Sequence, residues 1–173
     1  MKLNTERLTI IPLNLEQFKL LLNGVDSMER ALELNSSGEH LDGHTQEAME
    51  GLYEEAKKHE ENYLWYTNWQ IILKQYNLSI GSACFMGCPD NSGTVEIGYG
   101  INEKYRCSGY MTEAVKSICK WALSQKNTLR VTAETEKNNA ACQRVLQKCG
   151  FIEYKGSSPK DCKVKFFSNL PVI

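Results

Sequence analysis

The stretch Arg106-Cys107-Ser108-Gly109 stands directly before a run of apolar residues at helical spacing. Its residue types suit an anion. A helix start leaves N–H groups without partners inside the helix and carries the positive end of the helix dipole, and both favour a phosphate. Ser108 offers a hydroxyl donor, Gly109 lets a ligand reach bare backbone, and Arg106 brings a forked cation. The alternative reading is that many helices begin with Ser-Gly and hold nothing. Upstream, Gly98 and Gly100 share one face of the alternating segment TVEIGYGI. Glycine weakens a strand interior, so it marks a bulge or a close backbone approach there. An exposed edge at this point would pair with an amide-bearing ligand as a further strand does. No P-loop and no G-x-G-x-x-G fingerprint is present, which counts against a nucleotide-binding module built on the same helix start.

The rest of the chain has to position this pair of features. Its 173 residues suit one domain, taken as residues 1–173. A formal net charge of −1 argues against non-specific binding to nucleic acid or to a membrane surface. The first residues, MKLNTERLTII, lack the apolar run of a secretion signal, and no stretch approaches the ~20 apolar residues that span a bilayer. The seven cysteines are scattered and odd in number, which reads as reduced thiols in a cytoplasmic protein. Cys84 and Cys88 have no second pair at zinc-finger spacing, and His40, His44 and His59 lie far off, so no metal site is expected.

Periodicity supplies the elements. RLTIIPL reads as a strand and NLEQFKLLLNG as a helix, with Asn14 as cap, Gln17 completing a capping box and Gly24 as stop. Residues 25–62 are polar and hold one expected helix, HTQEAMEGLYEEAKKHEEN, with Thr45 near its start. LWYTNWQIILKQ, LSIGSACFMG and TVEIGYGI read as three strands of an antiparallel meander. The aromatic residues Tyr63, Trp65, Tyr66 and Trp69 either line a pocket or pack the sheet. A helix over 110–125, the strand LRVTAET, the helix NNAACQRVLQKCGF and the strands FIEYKG and CKVKFFSNL complete the chain. Such alternation implies a partly parallel sheet with helices packed on it.

The segments EIGYGINEKYRCSGYMTEA and NNAACQRVLQKCGF together resemble the GNAT superfamily of N-acetyltransferases, closest to the branch of ribosomal-protein N-terminal acetyltransferases. Arg106, Gly109 and the run Tyr110, Thr112, Glu113, Ala114 carry the first signature. Asn139, Ala141, Arg144, Val145, Leu146, Lys148, Gly150 and Phe151 carry the second. TERLTIIPL is similar to the branch's opening. The resemblance is strong over about residues 95–151. It implies an α+β fold with a central mixed, mostly antiparallel sheet flanked by helices, and acetyl-CoA as donor. The pyrophosphate would then lie on backbone N–H groups of Cys107, Ser108, Gly109, Tyr110 and Met111, with the Arg106 side chain as a cation beside them. The pantetheine arm would lie along Tyr99, Gly100 and Ile101, with Asn139 contacting it from the next helix. Arg144 or Lys148 would meet the 3′-phosphate, or either is a solvated helix charge. Met111 replaces a small residue of the family pattern but keeps its backbone N–H, Cys142 stands where the branch often has Ser, and Leu146 stands where many members carry an acidic Tyr.

The chemistry implied is direct attack of an amine on the thioester through a tetrahedral intermediate, with a backbone N–H near Tyr99–Ile101 meeting the oxyanion. A thiol leaving group near pKa ~8.5 does not demand a strong acid. An α-amino group near ~8 is about one tenth neutral at pH ~7, whereas a lysine near ~10.4 is less than about a thousandth neutral, so a lysine acceptor needs a base more. Glu96 is the candidate base, directly or through water, or else a structural carboxylate. Cys142 either passes a proton to the leaving thiolate or is a small buried residue on its helix. The acceptor is a protein N-terminus or a small-molecule amine, and a homodimer is compatible with the sequence. The competing reading is a non-catalytic acetyl-CoA sensor that keeps the groove but lacks an acceptor pocket.

Overall fold

A computed structural model describes residues 1–154 and 163–168. Eight strands are introduced in chain order: β1 (Leu3–Asn4), β2 (Leu8–Pro12), β3 (Asn68–Leu73), β4 (Leu78–Phe85), β5 (Thr94–Ile101), β6 (Arg130–Glu136), β7 (Ile152–Glu153) and β8 (Lys163–Ser168). They form one sheet in the order β1-β2-β3-β4-β5-β6-β8-β7. Every neighbouring pair is antiparallel except β5 and β6, which run parallel. A parallel pair requires a crossover, and the helix α4 (Tyr110–Leu123) supplies it. The other helices are α1 (Leu15–Asn23), α2 (Val25–Ala31), α3 (Gly43–Lys58) and α5 (Ala140–Lys148). The expected mixed, mostly antiparallel sheet flanked by helices is therefore the observed fold.

The strands form where residue alternation lets one face be buried. Val95 and Ile97 of β5 pack into the same core as Ala114, Val115 and Ile118 of α4, while Glu96, Gly98 and Gly100 take the other face. The aromatic run proves to be packing for its tryptophans. Trp65 and Trp69 lie against Trp121 of α4 with ring centroids 4.8 and 4.7 Å apart, and Trp69 is fully buried. Tyr63 and Tyr66 are half-buried, and the Tyr66 ring stacks on His59. α1–α3 enclose a second apolar cluster of Leu13, Phe18, Leu21 and Met28.

Local capping chemistry holds where it was legible. Asn14 Oδ1 accepts from Gln17 N at 2.8 Å, and Gln17 Oε1 accepts from Asn14 N at 3.1 Å, which closes the capping box on α1. One expectation needs correction. The third strand starts at Asn68 rather than Leu64, because Glu60–Trp65 is a 3-10 segment whose Leu64 carbonyl accepts the Trp69 indole N–H. That turn brings both tryptophans onto one helix. Thr45 lies near the start of α3 as expected, and the cap is Asp42, whose carboxylate accepts from both the N–H and the hydroxyl of Thr45. The polar stretch 25–62 also holds α2, whose Glu29 is buried and accepts from the Ser37 N–H at 3.1 Å. The ends of the FIEYKG and CKVKFFSNL segments, with Cys162, lie outside the described residues. Among the described residues no helix is long and apolar enough to cross a membrane.

The N-terminus of α4 is held by the turn between β1 and β2. Thr5 Oγ1 donates to Glu113 Oε1 at 2.6 Å, Arg7 N donates to the same oxygen at 2.9 Å, and Arg7 Nε donates to Oε2 at 2.7 Å. Arg7 Nη1 donates to the Ser108 carbonyl at 3.0 Å, and the guanidinium lies 4.4 Å over the Tyr110 ring. A carboxylate in the first turn of a helix also suits the helix dipole. Burial pushes the Glu113 carboxyl up, but hydrogen bonds from Thr5 and Arg7 and the charge of Arg7 outweigh it and leave the group below its ordinary value.

Glu113→Gln should therefore lower unfolding free energy by about 1–3 kcal/mol at neutral pH, the usual scale for hydrogen bonds to a charged group, read by urea denaturation. The stabilisation from the depressed carboxyl is complete above its unfolded value of about 4.3 and is lost as pH falls through the lower folded value. Acid denaturation of Glu113→Gln should accordingly be less steep than that of the wild type. Equal stability and equal acid limbs would show that the fork contributes nothing.

Candidate active site

The loop before α4 has the geometry of an anion cradle. Cys107 and Gly109 both take left-handed backbone angles, φ 62° and 81°, on either side of Ser108. Among the described residues, no partner accepts from the backbone N–H groups of Cys107 through Thr112. Six consecutive free amides at a helix start are the arrangement that attracts a phosphate group. Cys107, Ser108 and Gly109 are exposed, whereas the Met111 side chain is buried and leaves only its N–H to the loop. The Ser108 hydroxyl donates to the Arg106 carbonyl at 3.3 Å, so it serves the turn itself.

A second cation joins Arg106 beside this loop. Arg106 lies 3.9 Å from Glu103 and is exposed. The guanidinium nearest the bare Gly109 backbone belongs to Arg7: a Cβ on Gly109 would lie 3.4 Å from Arg7 Nη2. The available signal was the lone acid Glu113 in the first turn of α4, which required a partner from elsewhere in the chain.

The strand leading into the loop is open on one edge. β5 pairs with β6 only at Thr94, Val95 and Glu96, opposite Arg130, Val131 and Thr132. On its other side β5 stays paired with β4 from Ile97 to Ile101. Met86 N donates to Glu96 O and Asn102 N donates to Ile80 O, so the even-numbered residues of β5 bond towards β4. Antiparallel alternation then turns the N–H and C=O groups of Tyr99 and Ile101 away from β4, into the gap beyond the last β5–β6 pair. The close backbone approach expected at Gly98 and Gly100 is located at Gly81, where a Cβ would strike the Gly100 carbonyl oxygen. A Cβ at Gly100 would meet nothing within 4 Å, so that face of the strand is open.

Two candidate proton-transfer groups flank β5 on opposite faces. Cys142, near the start of α5, is half-buried, and its Sγ is 3.1 Å from the Tyr99 hydroxyl. Asn139 caps α5 through Oδ1, which accepts from Cys142 N at 3.0 Å and leaves the amide NH2 to donate elsewhere. Leu146 is fully buried in the core. The other thiols near this helix are silent: burial pushes Cys149 up to about 12 and raises Cys119 as well. Glu96 is half-buried on the face away from α4. Burial raises its carboxyl first and the nearby Glu134 charge second, against partial opposition from Lys165 and Lys163. Glu134 itself accepts from Lys165 at 2.6 Å. The structure thus brings Tyr99, Cys142 and Asn139 together and keeps Glu96 across the strand from them. Arg144 and Lys148 are exposed on α5. No group of three or more metal-ligating side chains occurs among the described residues.

Known proteins resemble this chain in sequence and in fold. The acetyltransferase (GNAT) domain family matches residues 7–152. An uncharacterized N-acetyltransferase of Bacillus subtilis, YjdG, is 38% identical over 87 residues, covering 50% of this chain and 52% of that protein. The chain thus spans about half the length of the curated relatives it matches. The ribosomal-protein-S5-alanine acetyltransferase of Vibrio fischeri shares the fold with a TM-score of 0.68 at 15% identity, over 98% of this chain and 96% of that one. RimL, the ribosomal L7/L12 alpha-N-protein acetyltransferase solved in complex with coenzyme A, shares it with a TM-score of 0.67 at 12% identity over 100% of both chains. With its parallel strand pair parting beside a helix start of free amides, the chain belongs to the GNAT acetyltransferase family.

Proposed function

We propose that this chain, as a single domain of residues 1–173, transfers an acetyl group from acetyl-CoA to a primary amine, either a protein N-terminus or a small molecule. One observation carries the reading: the unpartnered amides of Cys107–Thr112 adjoin the unpaired edge of β5. This supports a ligand with a diphosphate at one end and an amide-bearing arm at the other, which is the shape of coenzyme A. The coenzyme A bound by RimL, whose fold is shared, supports the same assignment.

In this proposal the backbone N–H groups of Cys107 to Met111 hold the diphosphate, with Arg7 beside them and Arg106 at the rim. Tyr99, Gly100 and Ile101 present the strand edge to the arm. The Asn139 amide donates to the same arm, and exposed Arg144 or Lys148 meets the 3′-phosphate. Acetyl-CoA supplies the activated thioester. Its carbonyl then lies between the two faces of β5. Glu96 takes the proton of the attacking amine on one face, and a carboxyl raised towards neutral pH is the better base for that step. A backbone N–H of Tyr99–Ile101 stabilises the oxyanion. Cys142 gives a proton to the departing sulfur on the other face.

The test is acetyl-CoA titration by calorimetry, joined to a screen of amines for thiol release with a gain of one acetyl group. Binding without release across N-terminal peptides, polyamines, amino acids and aminoglycosides would favour the sensor reading. Gly109→Glu places bulk and negative charge in the cradle at a backbone angle that side chains rarely adopt. It should abolish acetyl-CoA binding in calorimetry while the circular dichroism spectrum is kept; retained affinity would move the diphosphate elsewhere. Glu96→Gln should lower kcat about 100-fold with little change in acetyl-CoA affinity. Its pH–rate profile should shift to higher pH, because only spontaneous amine deprotonation then drives the reaction. An unchanged profile would remove Glu96 from the role of base.

A further inference from the structure

Tyr99 does more in this fold than present its backbone. Its side chain crosses from β5 to α5, where the hydroxyl lies 3.1 Å from Cys142 Sγ and 3.2 Å from the Cys142 carbonyl oxygen. One O–H faces two acceptors, so it serves one at a time. While the thiol is protonated, S–H donates to the phenol oxygen and the phenol donates to the carbonyl. When the thiol has lost its proton, the same O–H turns onto Sγ. Leu146, one turn further along α5, is fully buried and apolar, so the helix itself offers no hydroxyl there.

We propose that Tyr99 is the positioning residue for proton delivery to the leaving group, a phenol contributed by β5 that aims the Cys142 S–H and then stabilises the Cys142 thiolate. The inference rests on the acyl-transfer reading above. The proton balance closes. As the carbon–sulfur bond breaks, the leaving sulfur takes the bonding pair and receives the Cys142 proton. The amine proton resides on Glu96. After product release Glu96 returns one proton through solvent to Cys142, and both groups are reset. Burial, followed by the hydrogen bond with Cys142, pushes the Tyr99 phenol far above its usual value, and it remains a donor throughout.

The test separates aiming from packing. Tyr99→Phe deletes one oxygen and keeps the backbone that faces the cofactor. Iodoacetamide labelling at pH ~8, resolved by peptide mass spectrometry, should slow severalfold at Cys142 in this variant, because its thiolate loses a donor. Labelling at exposed Cys107 should not change and serves as the internal control. If Tyr99 only packed against α5, its truncation would loosen the site and speed labelling of Cys142. In turnover, Tyr99→Phe should lower kcat about tenfold with KM for acetyl-CoA within twofold. In a Cys142→Ala background it should cost nothing further. Faster or unchanged labelling, or additive losses in the double variant, would overturn the proposal. Wild-type protein that fails to bind acetyl-CoA at all would instead overturn the donor assignment on which the proposal rests.

Discussion

The decisive constraint is that β5 and β6 stop pairing after three residues. A strand edge inside a sheet is normally satisfied on both sides, because a buried N–H or C=O without a partner is costly. Here β5 keeps its bonds to β4 as far as Ile101, and β6 keeps its bonds to β8 as far as Glu136. Each strand remains anchored by its other neighbour while the two part company beyond Glu96 and Thr132. The backbone groups of Tyr99 and Ile101 are left to water or to a ligand. In the proposed reading, this wedge between two otherwise intact half-sheets is where an amide-bearing arm would pair as a partial strand.

The opening would be of little use without a fixed anion cradle at its end. That cradle depends on residues far away in the chain. Thr5 and Arg7 grip Glu113, and Arg7 also ties down the Ser108 carbonyl. The guanidinium therefore does two jobs, neutralising a helix-start carboxylate and holding the loop whose amides face outwards. A carboxylate alone at this helix start would repel an anion; bound in a fork by Arg7, its charge is compensated and the dipole and amides dominate.

Strand alternation then sorts the chemistry. The odd residues of β5 face α4 and α5 and bring the Tyr99 hydroxyl to Cys142, while the even residues place Glu96 on the far side beside Glu134 and Lys165. One strand thus carries a half-buried carboxylate on one face and a hydroxyl–thiol pair on the other, the two groups to which the proposal gives the proton transfers. The face of the strand at Gly100 is open.

Much of this was legible in the sequence wherever neighbours within a few residues decide the outcome. The capping box Asn14–Gln17, the alternation of TVEIGYGI, the apolar face of α4 and the Gly109 helix start are all local patterns, and the structure realises them. Composition hid the rest: the polar stretch 25–62 also holds α2 with its buried Glu29, and aromatic content stretched the third strand into a 3-10 segment. Only the tertiary structure determined that Arg7, 106 residues from Glu113, joins Arg106 beside the cradle, and that Tyr99 meets Cys142 across 43 residues. Such pairings are set by sheet order and by where a parallel pair ends. No short-range pattern encodes these, because they are decided by how whole elements pack.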